Sequence, residues 1–180
     1  MKIILSIALL LITNYTFSQI KFDYLKLEDN QIIFECIYDI DSLSANEIEK
    51  VLISTVPSLK NVVNFNNNQS IITAKIKSDK VDYKRYGGKT MTASVFLGWD
   101  MDGNVSIVWK DNKYKVTVSN ITFSFINIFT RASQSMSITD IFTKNNGAEM
   151  RTNTKLQESG NYVQQHLVDL FKLNKLKKEW

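Results

Sequence analysis

The chain has 180 residues, of which 44% are hydrophobic and 22% are charged, enough for one globular domain with its own core. The formal net charge of +4 comes from 22 basic and 18 acidic residues, with no clustered basic stripe of the kind that nucleic-acid-binding proteins carry. One proline, six glycines and one cysteine exclude collagen-like, linker-rich and disulfide-rich classes.

Residues 1–18 have the three-part pattern of a secretory signal peptide. Lys2 gives a positive start, residues 3–12 are mostly apolar, and small or polar residues lead up to Ser18. The apolar run is shorter than the roughly 20 residues that span a bilayer, and an uncleaved N-terminal anchor remains the alternative. Cleavage after Ser18 would leave residues 19–180 as an exported chain, periplasmic or extracellular.

The mature chain begins with a predicted β-hairpin. Apolar residues alternate over residues 19–39, and residues 28–30 have turn composition. A helix follows, because Ser44 and Glu47 have the capping-box spacing and apolar residues then recur at helical intervals. Pro57 is expected to end this helix, since the residue before a proline is pushed out of the α region.

Alternating apolar residues then predict a run of antiparallel strands. The predicted strands cover residues 62–65, 71–77, 91–99, 105–110 and the stretch from 114 onward. The Asp-Gly pair at 102–103 and the Asp-Asn pair at 111–112 predict hairpin turns between these strands. The alternation slips by one residue at 119–120, which predicts a bulge or a strand end there.

The polar stretch 131–160 is predicted to be a long irregular insert with a turn of helix around residues 138–142. A C-terminal helix is predicted over residues 161–180, and its packed part is expected to stop near Leu173. The predicted organisation is a signal peptide (1–18), an α+β core (19–130), the insert (131–160) and the helix (161–180).

Three stretches resemble a known family. Residues 32–39 lead into Ser-Ala-Asn-Glu-Ile at 44–48, and residues 105–116 read Val-Ser-Ile-Val-Trp-Lys-Asp-Asn-Lys-Tyr-Lys-Val, a strand–turn–strand. With the signal peptide, the chain resembles exported bacterial proteins of a domain of unknown function (DUF4468 type), over residues 32–123. The resemblance implies a fold like that of the TATA-binding protein (TBP-like). It further implies an α+β, twisted antiparallel sheet with helices on one face, β-α-β4-α order and an exported location, but no activity.

The cysteine and the histidine of the chain are candidates for chemistry. Cys36 lies in an alternating apolar segment, which favours a buried core residue over a reactive thiol. His166 lies beside the apolar stripe of the last helix, and we interpret it as a boundary residue rather than a base or ligand. The usual zinc sets need more histidines or cysteines, and no nucleophile-elbow motif supports a serine triad.

Three further patterns have a functional and a structural interpretation. Residues 100–104 resemble a calcium loop, but the glycine stands at position 4 instead of 6, which favours a hairpin turn. Gly87 and Gly88 lack the strand-to-helix context of a phosphate loop, so a flexible loop is expected. The basic end of the chain favours a solvated helix end over a membrane contact. Its residues are Phe171, Lys172, Lys175, Lys177, Lys178 and Trp180.

The sequence therefore indicates no catalytic, cofactor-binding or metal-binding residue. We expect a non-enzymatic binding or structural module of the bacterial cell envelope. Its partner would be another envelope or secreted protein, bound through the sheet face or residues 131–160, or a second copy of the chain. Nucleic acid is not expected as a partner, and membrane contact is expected to be peripheral at most. The alternatives are a small-molecule or lipid carrier with a cavity around Phe96, Trp99 and Trp109, or a hydrolase, which would need a cluster of titratable residues.

Overall fold

Seven antiparallel strands form the main sheet of the computed structural model, which describes residues 21–173. They are β1 (Leu25–Glu28), β2 (Gln31–Asp39), β3 (Val62–Asn68), β4 (Ile71–Asp79), β5 (Asp100–Lys110), β6 (Lys113–Ile126) and β7 (Ser133–Ser137). The order across the sheet is β1-β2-β6-β5-β4-β3, and β7 pairs with the C-terminal half of β6. Two short strands, β8 (Thr143–Lys144) and β9 (Glu149–Met150), pair separately with each other. The hairpin predicted over 19–39 is confirmed in its described part, with a turn at residues 29–30.

Three α-helices complete the described part of the chain: α1 (Ala45–Thr55), α2 (Ile138–Phe142) and α3 (Thr154–Phe171). The start of α1 is the predicted capping box. The Ser44 hydroxyl accepts from the backbone N–H of Glu47 at 3.4 Å, and the Glu47 carboxylate accepts from the backbone N–H of Ser44 at 2.8 Å. The helix ends at Thr55, two residues before Pro57, as predicted.

The helices cover one face of the main sheet and leave the other bare. Alternate residues such as Phe34 and Val116 are fully buried on the helix side. We call the bare side the open face; it is mostly polar, and there Glu35 forms ion pairs with Lys26 at 2.5 Å and Lys115 at 3.0 Å. The prediction of an α+β antiparallel sheet with helices packed on one face is therefore confirmed.

The predicted slip in β6 is a β-bulge. Ser119 pairs with Asn104 and Thr122 pairs with Asp102, so two residues of β6 lie opposite Gly103. Asn120 takes a φ of 52°, a left-handed conformation that asparagine tolerates better than most residues. A Cβ on Gly103 would lie 2.9 Å from the Val118 side chain, so this position favours glycine.

Two predictions between β4 and β5 are wrong. Residues 91–99 form turns and a short 3₁₀ segment, Val95–Gly98, instead of a strand, and Met91 and Val95 are exposed. The Asp-Gly pair at 102–103 lies inside β5 rather than in a hairpin turn. Pairing with β4 on one side and β6 on the other stabilises an extended conformation there, and this tertiary context overrides the local turn preference.

The stretch 131–160 is more regular than predicted. It contains β7, α2, β8, β9 and the first seven residues of α3, which starts at Thr154 instead of residue 161. The short helix at 138–142 is confirmed, as is the end of the packed part of α3 near Leu173. Four of the five residues of β7 are polar, so its sequence has no alternation of apolar and polar residues. For that reason the sequence predicted a loop there.

Residues 1–18, the predicted signal peptide, and residues 174–180, the end of the basic tail, lie outside the described residues. None of the described helices combines the length and the apolar character that a membrane crossing requires.

Candidate functional site

His166 belongs to a polar cluster between α3 and the end of β4. Its Nε2 lies 2.7 Å from Oδ2 of Asp79, and its Nδ1 accepts from the backbone N–H of Asp82 at 3.4 Å. Asn61 donates to the other Asp79 oxygen at 2.8 Å. Because Nδ1 accepts, the ring proton is assigned to Nε2, which donates to Asp79. Both ring nitrogens are therefore engaged, and His166 joins α3 to the sheet.

The carboxylate of Asp79 is nearly buried, with a side chain 7% exposed. Burial raises its pKa, but the hydrogen bonds from His166 and Asn61 outweigh burial, so the pKa lies below the ordinary value. The sequence did not indicate this cluster. Strand alternation would point Asp79 outward, but Ser78 has a φ of 51° and the register shifts between Ile76 and Asp79.

The loop at 80–89, predicted to be flexible, is attached to α3. The Tyr86 hydroxyl donates to the Asp169 carboxylate at 2.9 Å, and Arg85 forms an ion pair with the same carboxylate at 3.1 Å. Gly87 has a φ of 87°, which closes the turn that presents these two side chains. These contacts stabilise the helix–loop interface.

The carboxylates of the calcium-like segment are engaged by neighbouring groups. Asp102 accepts from Lys77 at 3.0 Å and from the backbone N–H of Ser78 at 2.7 Å, while Asp100 lies 3.5 Å from Lys80. Within residues 21–173, no group of three or more His, Cys, Asp and Glu side chains is placed to hold a metal ion. Cys36 is a core residue, and burial raises the pKa of its thiol.

The three aromatic residues proposed to line a carrier cavity are not brought together. Phe96 packs in the core, 5.0 Å from the Phe123 ring, and Trp99 stacks on Phe125 at 6.0 Å. Trp109 lies at the other end of β5, roughly 30 Å away along the strand. There it borders an open surface groove of ≈ 350 Å³.

The loop between β6 and β7 is held by an asparagine. Asn127 accepts through Oδ1 from the backbone N–H groups of Phe129 at 2.9 Å and Thr130 at 3.1 Å. Its backbone N–H donates to Ala132 O at 2.9 Å, and its carbonyl accepts from Arg131 at 2.8 Å. The loop therefore has a defined Asx-turn conformation.

This loop and the last residue of β6 present large apolar side chains to solvent. Phe129 is 96% exposed, Ile128 is 86% exposed and Ile126 is 63% exposed. We call these three residues the hairpin tip. An isolated exposed apolar residue is common, but three within four positions, beside a turn held by hydrogen bonds, are typical of an interaction site. The hairpin tip lies just before residues 131–160, the segment that the sequence suggested for binding, and was not predicted. The available signal was the set of large apolar residues flanking the turn-forming Asn127.

Comparison with solved structures identifies the architecture. A TBP-like protein from Parabacteroides distasonis superposes with a TM-score of 0.51 at 17% identity, covering 82% of this chain and 94% of that protein. The fold is TBP-like. This confirms the TBP-like expectation from the sequence, and at this identity the likeness concerns the fold alone.

A DUF4468 family protein from Bacteroides ovatus is also similar, with a TM-score of 0.48 and 10% identity, covering 85% of this chain and 93% of that protein. No protein-family model and no curated protein matches the sequence.

Proposed function

We propose that this chain is an exported, non-enzymatic binding module of the bacterial cell envelope that docks on a partner protein through the hairpin tip. The observation that carries the proposal is the near-complete exposure of Ile128 and Phe129 on a loop fixed by Asn127. An ordered loop loses little conformational entropy on binding, so burial of its apolar side chains translates more fully into affinity.

The shape of the hairpin tip defines the kind of partner surface that it fits. Because the side chains of Ile128 and Phe129 are almost fully exposed, the partner would offer an apolar depression that accepts one aromatic and one or two aliphatic side chains. Full burial of a Phe or Ile side chain contributes about 1.5–3 kcal/mol, and a few such anchors commonly dominate the affinity of a protein interface.

Export and the absence of catalysis are part of the same proposal. Residues 1–18 have the signal-peptide pattern, which supports a location outside the cytoplasm. The engagement of both His166 nitrogens by Asp79 and Asp82 supports a structural role for the group best suited to general base chemistry.

Site-specific photo-cross-linking tests the proposal. A photoreactive phenylalanine analogue replaces Phe129 in the full chain, expressed in its native cells. The matched control carries the analogue at Ile37, another exposed apolar position, at the far end of the sheet near Lys115. We expect one recurrent envelope protein to be linked from position 129 and not from position 37, and the link to weaken when Ile128→Ser is added. Identical products from both positions, or linkage to lipid from position 129, would contradict the proposal.

A further inference from the structure

Strand β1 covers only part of the outer edge of β2. The last hydrogen bond between them runs from the backbone N–H of Glu35 to Tyr24 O, at 2.8 Å. Beyond it, residues 36–39 of β2 pair with β6 on one side and with no described strand on the other. An uncovered stretch of edge presents backbone N–H and C=O groups to which another strand can add.

The backbone groups available at this edge belong to Ile37 and Asp39. The N–H of Glu35 points toward β1, and residues two apart along a strand direct their backbone groups to the same side. Ile37 and Asp39 therefore direct their N–H and C=O groups away from β6. Ile40 agrees with this alternation, since its N–H donates in the opposite direction, to Asn112 O at 2.7 Å.

The uncovered edge borders an open groove of ≈ 470 Å³ between β2 and the end of α3. Tyr24, Tyr38 and Val168 give it an apolar lining, and Asp39 adds a carboxylate. The Cys36 thiol, a weak donor, lies 3.8 Å from Ile37 O. The groove therefore combines an apolar wall with backbone groups that an extended segment can pair with.

The last described residue, Leu173, lines the same groove. Helix α3 ends at Phe171, and Lys172 already has an extended backbone, with a φ of −71° and a ψ of 105°. The backbone N–H of Leu173 donates to the Tyr114 hydroxyl at 3.1 Å, which fixes the exit of the chain from the helix. Residues 174–180, Asn-Lys-Leu-Lys-Lys-Glu-Trp, therefore begin beside the uncovered edge.

The direction of α3 determines how a segment that follows it would lie. Gln164 accepts from the backbone N–H of Tyr24, and four residues later Val168 accepts from the Tyr38 hydroxyl. Helix α3 thus runs in the same direction as β2. A segment that turns back from the helix end along the groove is antiparallel to β2, as β1 is.

We infer that residues 174–180 bind this groove as an additional antiparallel strand on β2. The position beside β2 lies two strand spacings, roughly 10 Å, from β6, where Leu173 is anchored to Tyr114. Three extended residues span that distance, so Leu176 is the first residue that can lie beside β2, opposite Ile40.

This register satisfies the outward backbone groups of β2. Lys177 forms a hydrogen-bonded pair with Asp39, and Glu179 forms one with Ile37. Each pair exchanges two backbone hydrogen bonds, so both N–H groups and both C=O groups find partners.

Charge complementarity favours this segment as the occupant. Asp39 is exposed, and its carboxylate forms no ion pair with another residue in 21–173. Lys177 lies directly opposite it, and opposite charges at facing positions stabilise a strand pair.

The apolar residues of the segment fit the other side of the groove. Leu176 and Trp180 share the helix side with Ile40 and Cys36, which lie opposite them. Between them, Lys178 can cover the buried Tyr38 with its aliphatic stem while its ammonium group stays in water.

The inferred contact uses a different surface from the hairpin tip and does not depend on it. The groove lies beside the first residues of β6, whereas the hairpin tip is at the other end of that strand. A covered edge cannot template the addition of a strand from another chain. The segment would thus leave the hairpin tip available while it blocks pairing at β2.

A pair of introduced cysteines tests the contact. The full chain carries Cys36→Ala, Ile37→Cys and Glu179→Cys, which places the two cysteines in a hydrogen-bonded pair. Facing Cα atoms are then about 5.5 Å apart, within the disulfide range. We expect mild oxidation to join them within one chain, as identified by mass spectrometry of the digested protein. The matched control has Lys178→Cys in place of Glu179→Cys. Its side chain faces the other side of the sheet, so it should link at least tenfold more slowly.

Amide hydrogen exchange of the unsubstituted full chain provides a second measurement. We expect the amides of Ile37 and Asp39 to be protected from exchange. Lys177→Pro removes an N–H that bonds to Asp39 and should speed the exchange of both amides at least tenfold. Lys178→Pro removes an N–H that points away from β2 and should leave both exchange rates unchanged.

The inference is overturned if these two amides exchange as fast as in an unstructured peptide, or if the two proline variants exchange alike. Equally rapid linkage of position 37 to positions 178 and 179 would also overturn it. A disulfide that joins two chains would assign the groove to a second copy and would contradict the inference as well. These outcomes differ from failure of the proposed function, which is measured at position 129.

Discussion

Tyr38 and Tyr114 stack face to face across β2 and β6, with ring centroids 4.7 Å apart and ring planes 5° apart. Their hydroxyls both reach the C-terminal end of α3. Tyr38 donates to Val168 O at 3.1 Å; Tyr114 donates to Phe171 O at 2.7 Å and accepts from the backbone N–H of Leu173 at 3.1 Å. Two sheet residues thus satisfy backbone groups that a helix end leaves unpaired.

Removal of the Tyr114 hydroxyl should cost more stability than removal of the Tyr38 hydroxyl. Tyr114→Phe leaves one buried donor and one acceptor without a partner, and we expect a loss of about 1–3 kcal/mol in the free energy of unfolding. Tyr38→Phe breaks one bond and should cost about 0.5–1.5 kcal/mol. Urea unfolding measures both, with Tyr83→Phe as the control that should change little. Equal losses for Tyr114→Phe and Tyr83→Phe would contradict this role.

The free energy of unfolding should fall at alkaline pH because Tyr114 ionises. Burial raises the pKa of Tyr114 from 10.0 to about 12. The folded state holds this proton more tightly than the unfolded chain, so the contribution is complete below pH 10 and is lost as pH rises toward 12. The urea concentration at the unfolding midpoint should fall as pH rises across this range. For Tyr114→Phe it should fall less steeply. A tyrosinate signal showing that every tyrosine of the folded protein ionises near pH 10 would contradict the prediction.

The Asp79–His166 pair should govern acid stability. Because the pKa of Asp79 lies below its ordinary 3.8 in the folded state, its contribution is present above that pH. It is lost as pH falls through the lower, folded-state pKa. Asp79→Ala leaves Asn61 and His166 without their partner and should cost about 1–3 kcal/mol at neutral pH. Circular dichroism against pH should show earlier acid unfolding for Asp79→Ala than for Asp41→Ala, an exposed control. Coincident curves would contradict this.

A close contact should make Gly160 intolerant of alanine. A Cβ at Gly160 would overlap the ring of Phe22, although alanine is the better helix former. We expect overpacking to dominate, with a loss of about 1–3 kcal/mol in Gly160→Ala. Gly98→Ala is the control, since nothing lies within 4 Å of a Cβ there. Adding Phe22→Ala should remove most of the Gly160→Ala penalty, and strict additivity of the two losses would contradict the contact.

Local sequence signals predicted those elements whose ends are set by nearby residues. The capping box at Ser44, the stop before Pro57 and the bulge at Asn120 depend on neighbours within a few positions, and the structure confirms all three. Residues 91–99 and the 102–103 pair depend on distant strands, which local preference cannot represent.

The features that bear on function were harder to predict for the same reason. Asp79 faces inward because of a register shift beside Ser78, and β7 is a strand because it pairs with β6, without any apolar alternation of its own. Exposure of Phe129 is a tertiary property, since the same residue type in the same alternating stretch, Phe123, is fully buried.

The most direct test of the central claim is the affinity of the purified full chain for the protein that position 129 captures. We predict that Phe129→Ser weakens this binding at least tenfold, while Ile37→Ser, an exposed apolar control, leaves it unchanged. An unchanged dissociation constant for Phe129→Ser, or equal weakening by both substitutions, would contradict a binding role for the hairpin tip.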